Sequence, residues 1–339
     1  MPFTLTENVQ GLGYFVPSII FQVIAFLTVV LRVWSNRDKK LPLQIGDYSI
    51  LAALILSIAA TVLFGFCIRF GLGVHIGQLD INDIRNYVKI QSALTVIWGF
   101  ALLAIRISIV RTYILIFRGG WLIKACYVWL AFETGWALQN AVGVVLICRP
   151  LEYEFDKTIP GGHCVDIEAY YYATHIIIFT LDAILTILPM PTLWRLQMHT
   201  KKKLTVTVML GLGILINIIN LIRIAWRNKV ASPDKTYEYA LLLFFTVLEI
   251  YLGIVLASLP FLQPVLARLT GLYMFCPGRH VSKQSLGSKE SKTGGKSIHV
   301  MQTFNTESTS HLKLTHEWER GYIGGENEDA RNLELGSRV

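Results

Sequence analysis

The sequence predicts an all-α membrane protein: a seven-transmembrane helix bundle with its N-terminus outside and its C-terminus in the cytoplasm. Three observations predict it. Of 339 residues, 53% are hydrophobic and only 16% charged, with a mean hydropathy of +0.49; a soluble domain carries about 25% charged residues. Apolar runs of about 20 residues recur along the chain, the length an α-helix needs to cross ~30 Å of hydrocarbon. Of the 23 acids, only Glu133, Asp182 and Glu249 fall well inside those runs. This pattern excludes a soluble enzyme, a disordered protein and a secreted disulfide scaffold. A transmembrane β-barrel would instead alternate apolar and polar residues over strands of ~10 residues. The net charge of +8 does not point to nucleic acid, because the basic residues flank the apolar runs rather than gathering on one face.

Seven spans can be read: Phe15–Trp34, Tyr48–Ile68, Val88–Arg111, Leu122–Ile147, Ala169–Met190, Leu204–Trp226 and Tyr239–Leu262. The first differs from a cleaved signal peptide, since no Lys or Arg precedes it and the basic cluster Arg32, Arg37, Lys39 and Lys40 follows it. That order holds the end of span one in the cytoplasm and sends residues 1–14 out. Arg118 and Lys124, then Arg195 and Lys201–Lys203, then Arg268, Arg279, Lys283, Lys289, Lys292 and Lys296 fall on the same inner side. Sixteen basic residues mark that side against nine on the other, where Arg223 and Arg227 are counted. The protein is thus expected to be a multi-pass protein of the plasma membrane or an endomembrane, with residues 15–268 as the helical domain.

Residues 269–339 read as a disordered cytoplasmic tail, in which Ser282, Ser285, Ser288 and Ser291 alternate with Lys and Gly. Its basic first half suits an anionic inner leaflet, a contact that serine phosphorylation would weaken. Cys276, just beyond the last span, is a candidate for palmitoylation.

An ionisable group in mid-span costs at least ~2.5–3.5 kcal/mol on insertion scales, so each is a candidate site residue. Helical spacing gathers them into stripes. Gln91, Thr95 and Trp98 lead along one face of span three to Arg106, the main deep cation. Glu133, Trp136 and Asn140 run i, i+3, i+7 on span four, and Tyr171, His175 and Asp182 share a face of span five. Span six carries Asn217, Asn220 and Arg223, and span seven carries Glu249. Polar stripes turn inward, away from lipid. The candidate ligand pocket is therefore Trp98, Arg106, Glu133, Trp136, Asn140, Tyr171, His175, Asp182, Asn217, Asn220 and Glu249, with Asp182 and Glu249 facing the bundle and at least one of them expected to approach Arg106. No second His or Cys stands at metal-ligand spacing from His175, and no phosphate loop or Ser/His/Asp triad is present.

Cys148 and Cys164 bracket the loop between spans four and five on the outer, oxidising side, which predicts a bridge between them; Cys67 is the rival partner.

Several short motifs then make a set. Gly46-Asp47-Tyr48 begins span two and Arg69-Phe70-Gly71-Leu72-Gly73-Val74-His75 follows it. Cys148-Arg149-Pro150 and Gly162-His163-Cys164-Val165-Asp166 frame the outer loop. Thr180-Leu181-Asp182 precedes Leu188-Pro189-Met190-Pro191-Thr192-Leu193-Trp194, and Glu249 precedes Leu259-Pro260 and Pro264. From about Val33 to Leu269 the chain resembles the fungal rhodopsin-domain family, the seven-span proteins grouped with a satratoxin-cluster member and with Pth-type receptor-like proteins. It departs from the usual pattern in having one aspartate, Asp47, after the glycine, and Arg106 where a Lys is more common. It resembles the short form, because fewer than 15 residues precede span one and a cysteine-rich outer domain is not among them.

A retinal protein needs a Lys in span seven for its Schiff base. None stands between Tyr239 and Leu262, so no covalently bound retinal is expected. The resemblance implies a part in a secondary-metabolite pathway, binding, sensing or handling a hydrophobic metabolite in the bundle. Two alternatives remain open. One is a G-protein-coupled-like receptor with a cytoplasmic signalling partner at Arg118 and Lys201–Lys203. The other is a membrane cyclase or isomerase in which Asp182 or Glu249 protonates an olefin or epoxide and Trp98, Trp136 or Tyr171 steadies the cation.

Overall fold

The computed structural model describes residues 8–38, 44–74, 77, 79–116, 120–150, 152–155, 159–191, 200–227 and 235–269. Long helices dominate: α1 (Val9–Asp38), α2 (Ile45–Arg69), α3 (Ile81–Ile116), α4 (Gly120–Leu146), α6 (Ile167–Ile187), α7 (Thr200–Arg227) and α8 (Lys235–Leu269). A single-turn helix α5 (Glu152–Phe155) and two short strands, β1 (Cys148–Arg149) and β2 (His163–Cys164), form the connection between α4 and α6. Cys276 and the expected tail lie outside the described residues, apart from Leu269 itself.

Six of the helices, all but α4 and the short α5, are long and apolar enough to cross a membrane. Their outward faces carry Ile20, Leu27, Ile55, Val62, Ile176 and Leu221, all exposed, as a lipid-facing surface requires. Helix α4 has the length for a span, 27 residues or about 40 Å at 1.5 Å per residue. Its mean hydropathy is lowered by Glu133 and Asn140, both turned inward and buried, while Val128, Phe132, Leu138 and Val142 stand exposed on the other side. The helices also run past the expected spans, α3 by seven residues before Val88 and five after Arg111.

Helix α3 lies among α2, α4 and α8, and α8 also packs on α1 and α7. Where α2 ends, Gly71 and Gly73 have φ of +106° and +91°, left-handed conformations that favour glycine. That turn presents the Leu72 carbonyl to Asn8 Nδ2 at 2.7 Å, while Asn8 Oδ1 accepts the Gly11 N–H at 2.9 Å. The beginning of α1 is thereby fastened to the end of α2, which accounts for the glycine pair in the sequence.

At the opposite end, Asp47 accepts the Gln44 N–H on one carboxylate oxygen at 3.1 Å and Arg32 Nε on the other at 3.0 Å. Arg32 Nη1 continues to Ser108 Oγ at 3.0 Å and to the Ala257 carbonyl at 2.8 Å, and its guanidinium stacks on Phe261. Pro260 lacks the N–H that would meet the Leu256 carbonyl, and Arg32 adds an outside donor on the next carbonyl, that of Ala257. Arg32 is 1% exposed. The flank reading of this residue is therefore corrected: it joins α1, α2, α3 and α8, because a partner carboxylate on α2 makes the inward position cheaper than the solvated one.

Cys148 and Cys164 form a disulfide, with Cα atoms 4.0 Å apart across an antiparallel pairing of β1 and β2. Asp166 then caps α6, accepting the N–H groups of Glu168 and Ala169 at 3.0 and 3.2 Å. Cys67, the rival partner, is buried and free. Cys164→Ser should lower stability by about 3 kcal/mol, from the loop-closure entropy of a 16-residue separation. Thermal unfolding in detergent checks this, and a Cys164 that alkylates without reductant contradicts it.

Candidate functional site

Five helices turn their polar stripes toward one centre. From α3, Arg106 extends one guanidinium nitrogen to Glu133 of α4 and the other to Asp182 of α6, the latter at 2.7 Å. Asn220 of α7 lies between Asp182 and Glu249, its Nδ2 at 3.2 Å from Asp182 Oδ2 and 3.1 Å from Glu249 Oε1. Arg223, one turn further on α7, donates to Asn220 Oδ1 at 3.1 Å and sits 3.2 Å from Glu249 Oε2. Its other terminal nitrogen reaches Thr246 Oγ1 at 3.1 Å. Trp98 Nε1 donates to Glu249 at 3.2 Å, and Arg223 lies over the Trp98 ring at 5.0 Å. Of the two carboxylates expected to face the bundle, Asp182 approaches Arg106 and Glu249 takes Arg223.

All five charged groups are buried. Taking such ions out of water is costly, and excellent geometry with further hydrogen bonds is what offsets it. Three carboxylates face two guanidiniums, so one negative charge is in excess unless a carboxyl there carries a proton. A void of about 40 Å3, lined in part by Arg106, Asp182, Asn217 and Glu249, is large enough to hold water.

Toward the disulfide-bearing end lies a larger cavity of about 640 Å3. Trp98, Tyr171, His175 and Arg223 line its deeper part with Asn140 and Thr95. His175 stacks on Tyr171 at 3.8 Å and on Trp98 at 5.8 Å, and its Nδ1 lies 2.8 Å from the Tyr171 carbonyl. Arg227 meets Glu168 through two bonds of 2.8 and 2.9 Å, hydrogen-bonds the Tyr239 hydroxyl, and lies over the Tyr171 and Tyr239 rings. The cavity lining includes none of Glu133, Asp182 and Glu249.

The predicted residues therefore divide. Trp98, Asn140, Tyr171 and His175 border the large cavity; Arg106, Glu133, Asp182, Asn220 and Glu249 form the charged centre beneath it. Trp136 packs edge-on behind Trp98 and donates its indole N–H to the Thr174 carbonyl at 3.3 Å. Asn217 bonds the Gly213 carbonyl of its own helix at 2.9 Å and borders only the small void. Arg223 and Arg227, both counted from sequence among the outer basic residues and Arg223 also within span six, both line the large cavity. For Arg223 a signal was present: it stands three residues after Asn220, inside the expected span. Among the described residues, no three His, Cys, Asp or Glu side chains gather as a metal ion would require.

Residues 31–268 match the family model described as the fungal rhodopsin domain. A fugralins biosynthesis cluster protein 2 of Gibberella zeae is 28% identical over 58% of this chain and 50% of its own length. An SAT4 family membrane protein of Emericella nidulans is 25% identical over 57% of this chain and 49% of its own. A wortmanamides biosynthesis cluster protein C of Talaromyces wortmannii is 24% identical, covering 77% and 72%. The chain thus spans about half the length of the first two relatives. No solved structure matches.

Proposed function

Since the chain belongs to the fungal rhodopsin domain family and is a multi-pass membrane protein, we propose that it serves a secondary-metabolite pathway by binding a hydrophobic metabolite inside its helix bundle. The observation that carries this is the cavity of about 640 Å3, walled by Trp98, Tyr171 and His175 and floored by Arg223. An apolar pocket with a few convergent polar groups is the default form of a small-molecule site. Relatives named for biosynthesis clusters support the pathway. Binding is favoured over acid–base chemistry because Asp182 and Glu249 lie outside the cavity lining. Deleting the gene and profiling metabolites tests the reading. Loss or altered tailoring of a hydrophobic product is expected, and an unchanged profile would defeat it.

In this reading α4 is a seventh span, its polar residues facing inward and its apolar ones facing lipid. The N-terminus and the bridge then share the outer side. A disulfide needs an oxidising compartment, which supports that orientation. The basic bias supports it too, and keeps its sign when the buried Arg32, Arg223 and Arg227 are removed from the two sides. Protease shaving of intact cells should spare residues 270–339; their digestion from outside would reverse the topology.

A further inference from the structure

We propose that the cavity takes an uncharged, oxygen-bearing amphiphile with a single apolar chain, loaded sideways from the bilayer between α4 and α6. This rests on the ligand-binding reading above and names the class of ligand and its route.

The route comes from a second hollow. A groove of about 590 Å3 runs between α4 and α6 on the outer surface of the bundle. Its walls include Phe132 and Ile177, both exposed on the face that a membrane would cover. Tyr170 and Thr174 line this groove and also line the 640 Å3 cavity. The two hollows therefore share the Tyr170 and Thr174 wall of α6, where the Trp136 indole N–H of α4 also reaches the Thr174 carbonyl at 3.3 Å. The Tyr170 hydroxyl accepts one hydrogen bond across the gap, from Gln139 Nε2 at 3.2 Å. Rotation of that ring breaks one exposed bond and opens its side of the shared wall, leaving the Trp136–Thr174 bond in place. An acyl-like chain can lie in the groove while its head passes into the cavity.

The head chemistry comes from unpaired donors. Arg223 is 1% exposed and lines the cavity, yet its Nε has no hydrogen-bond partner. The Tyr171 hydroxyl, on the same cavity, is buried and equally without one. A buried donor left unmade is costly, and a turn of the Tyr171 or Arg223 side chain toward the cavity would let a ligand oxygen complete it. Charge decides against an anion. Arg223 already faces Glu249 and Arg227 already holds Glu168, while Glu154 and Asp166 add negative charge to the lining. No unneutralised guanidinium remains in the lining for a carboxylate. The head is therefore a ketone, aldehyde, ester or alcohol.

The test is photo-crosslinking of the full-length protein in phosphatidylcholine nanodiscs, with a diazirine-bearing fatty acyl methyl ester as the probe. Label should map to α4 and α6 peptides and be displaced by methyl palmitate, with palmitate ion and hexadecane at least about tenfold weaker. Tyr171→Phe should weaken displacement about fivefold, the worth of one neutral hydrogen bond. Ala173→Phe, on the exposed groove face of α6 and so unable to disturb the core, should cut labelling about tenfold. Equal displacement by palmitate ion would overturn the uncharged head. Full labelling of cavity residues in Ala173→Phe would overturn the lateral route. Label that methyl palmitate cannot displace, matched by a diazirine phosphatidylcholine, would make the groove a seat for bulk lipid and sink the proposal. Each of these leaves the pathway reading to stand or fall on the deletion profile alone.

Discussion

Arg106→Met should destabilise the folded bundle by about 3–5 kcal/mol, because it leaves two buried carboxylates without their counter-charge. Glu133 is 0% exposed, and its second oxygen already lacks a hydrogen-bond partner. Asp182 would keep only the bond from Asn220. Met fills much of the arginine's volume, so the loss reports charge more than packing. Arg106→Lys should fall between, since an ammonium cannot fork to Glu133 and Asp182 as the guanidinium does. Combining Arg106→Met with Glu133→Gln and Asp182→Asn should recover most of the loss, because the stranded charges are then gone. Thermal unfolding in detergent micelles reads all three. An Arg106→Met protein as stable as the parent would mean that these ions are not paired in the membrane.

What the sequence made legible was whatever repeats along one helix. Apolar runs marked the long helices to within about two turns. Glu133, Trp136 and Asn140 at i, i+3, i+7 marked the inward face of α4, and all three are buried there. Helical spacing likewise put Tyr171, His175 and Asp182, at i, i+4 and i+11, on one face of α6. The cysteine pair was legible because the two residues bracket one loop, and β1 and β2 bring them opposite each other.

What stayed hidden depends on a partner in another helix. An arginine near a span end reads the same whether it reaches out to water or turns in to a carboxylate. Arg32 turns in because Asp47 waits on α2, and Arg223 because Glu249 waits on α8. No period along α1 contains that information, and along α7 the step from Asn220 to Arg223 marks a shared face but not the partner it meets. The cavity was hidden for the same reason: its walls come from α3, α4, α6, α7 and α8 together. The polar stripes pointed to a single centre, whereas the helices separate it into a charged layer and an aromatic hollow above it.

Filling that hollow should abolish function while leaving the bundle folded. Thr95 borders the cavity and spends its hydroxyl on the Gln91 carbonyl of its own helix, at 3.0 Å. Thr95→Trp therefore strands no partner, and about 640 Å3 of space is available for the indole. A tryptophan covers about 150–250 Å2 of surface, enough to occupy much of the cavity floor beside Trp98 and Arg223. The decisive measurement is the metabolite profile of a deletion strain complemented with Thr95→Trp, at equal protein level in the membrane. The profile should match that of the uncomplemented deletion, while wild-type complementation restores the product. Full restoration by Thr95→Trp would contradict the claim that a metabolite binds in this cavity.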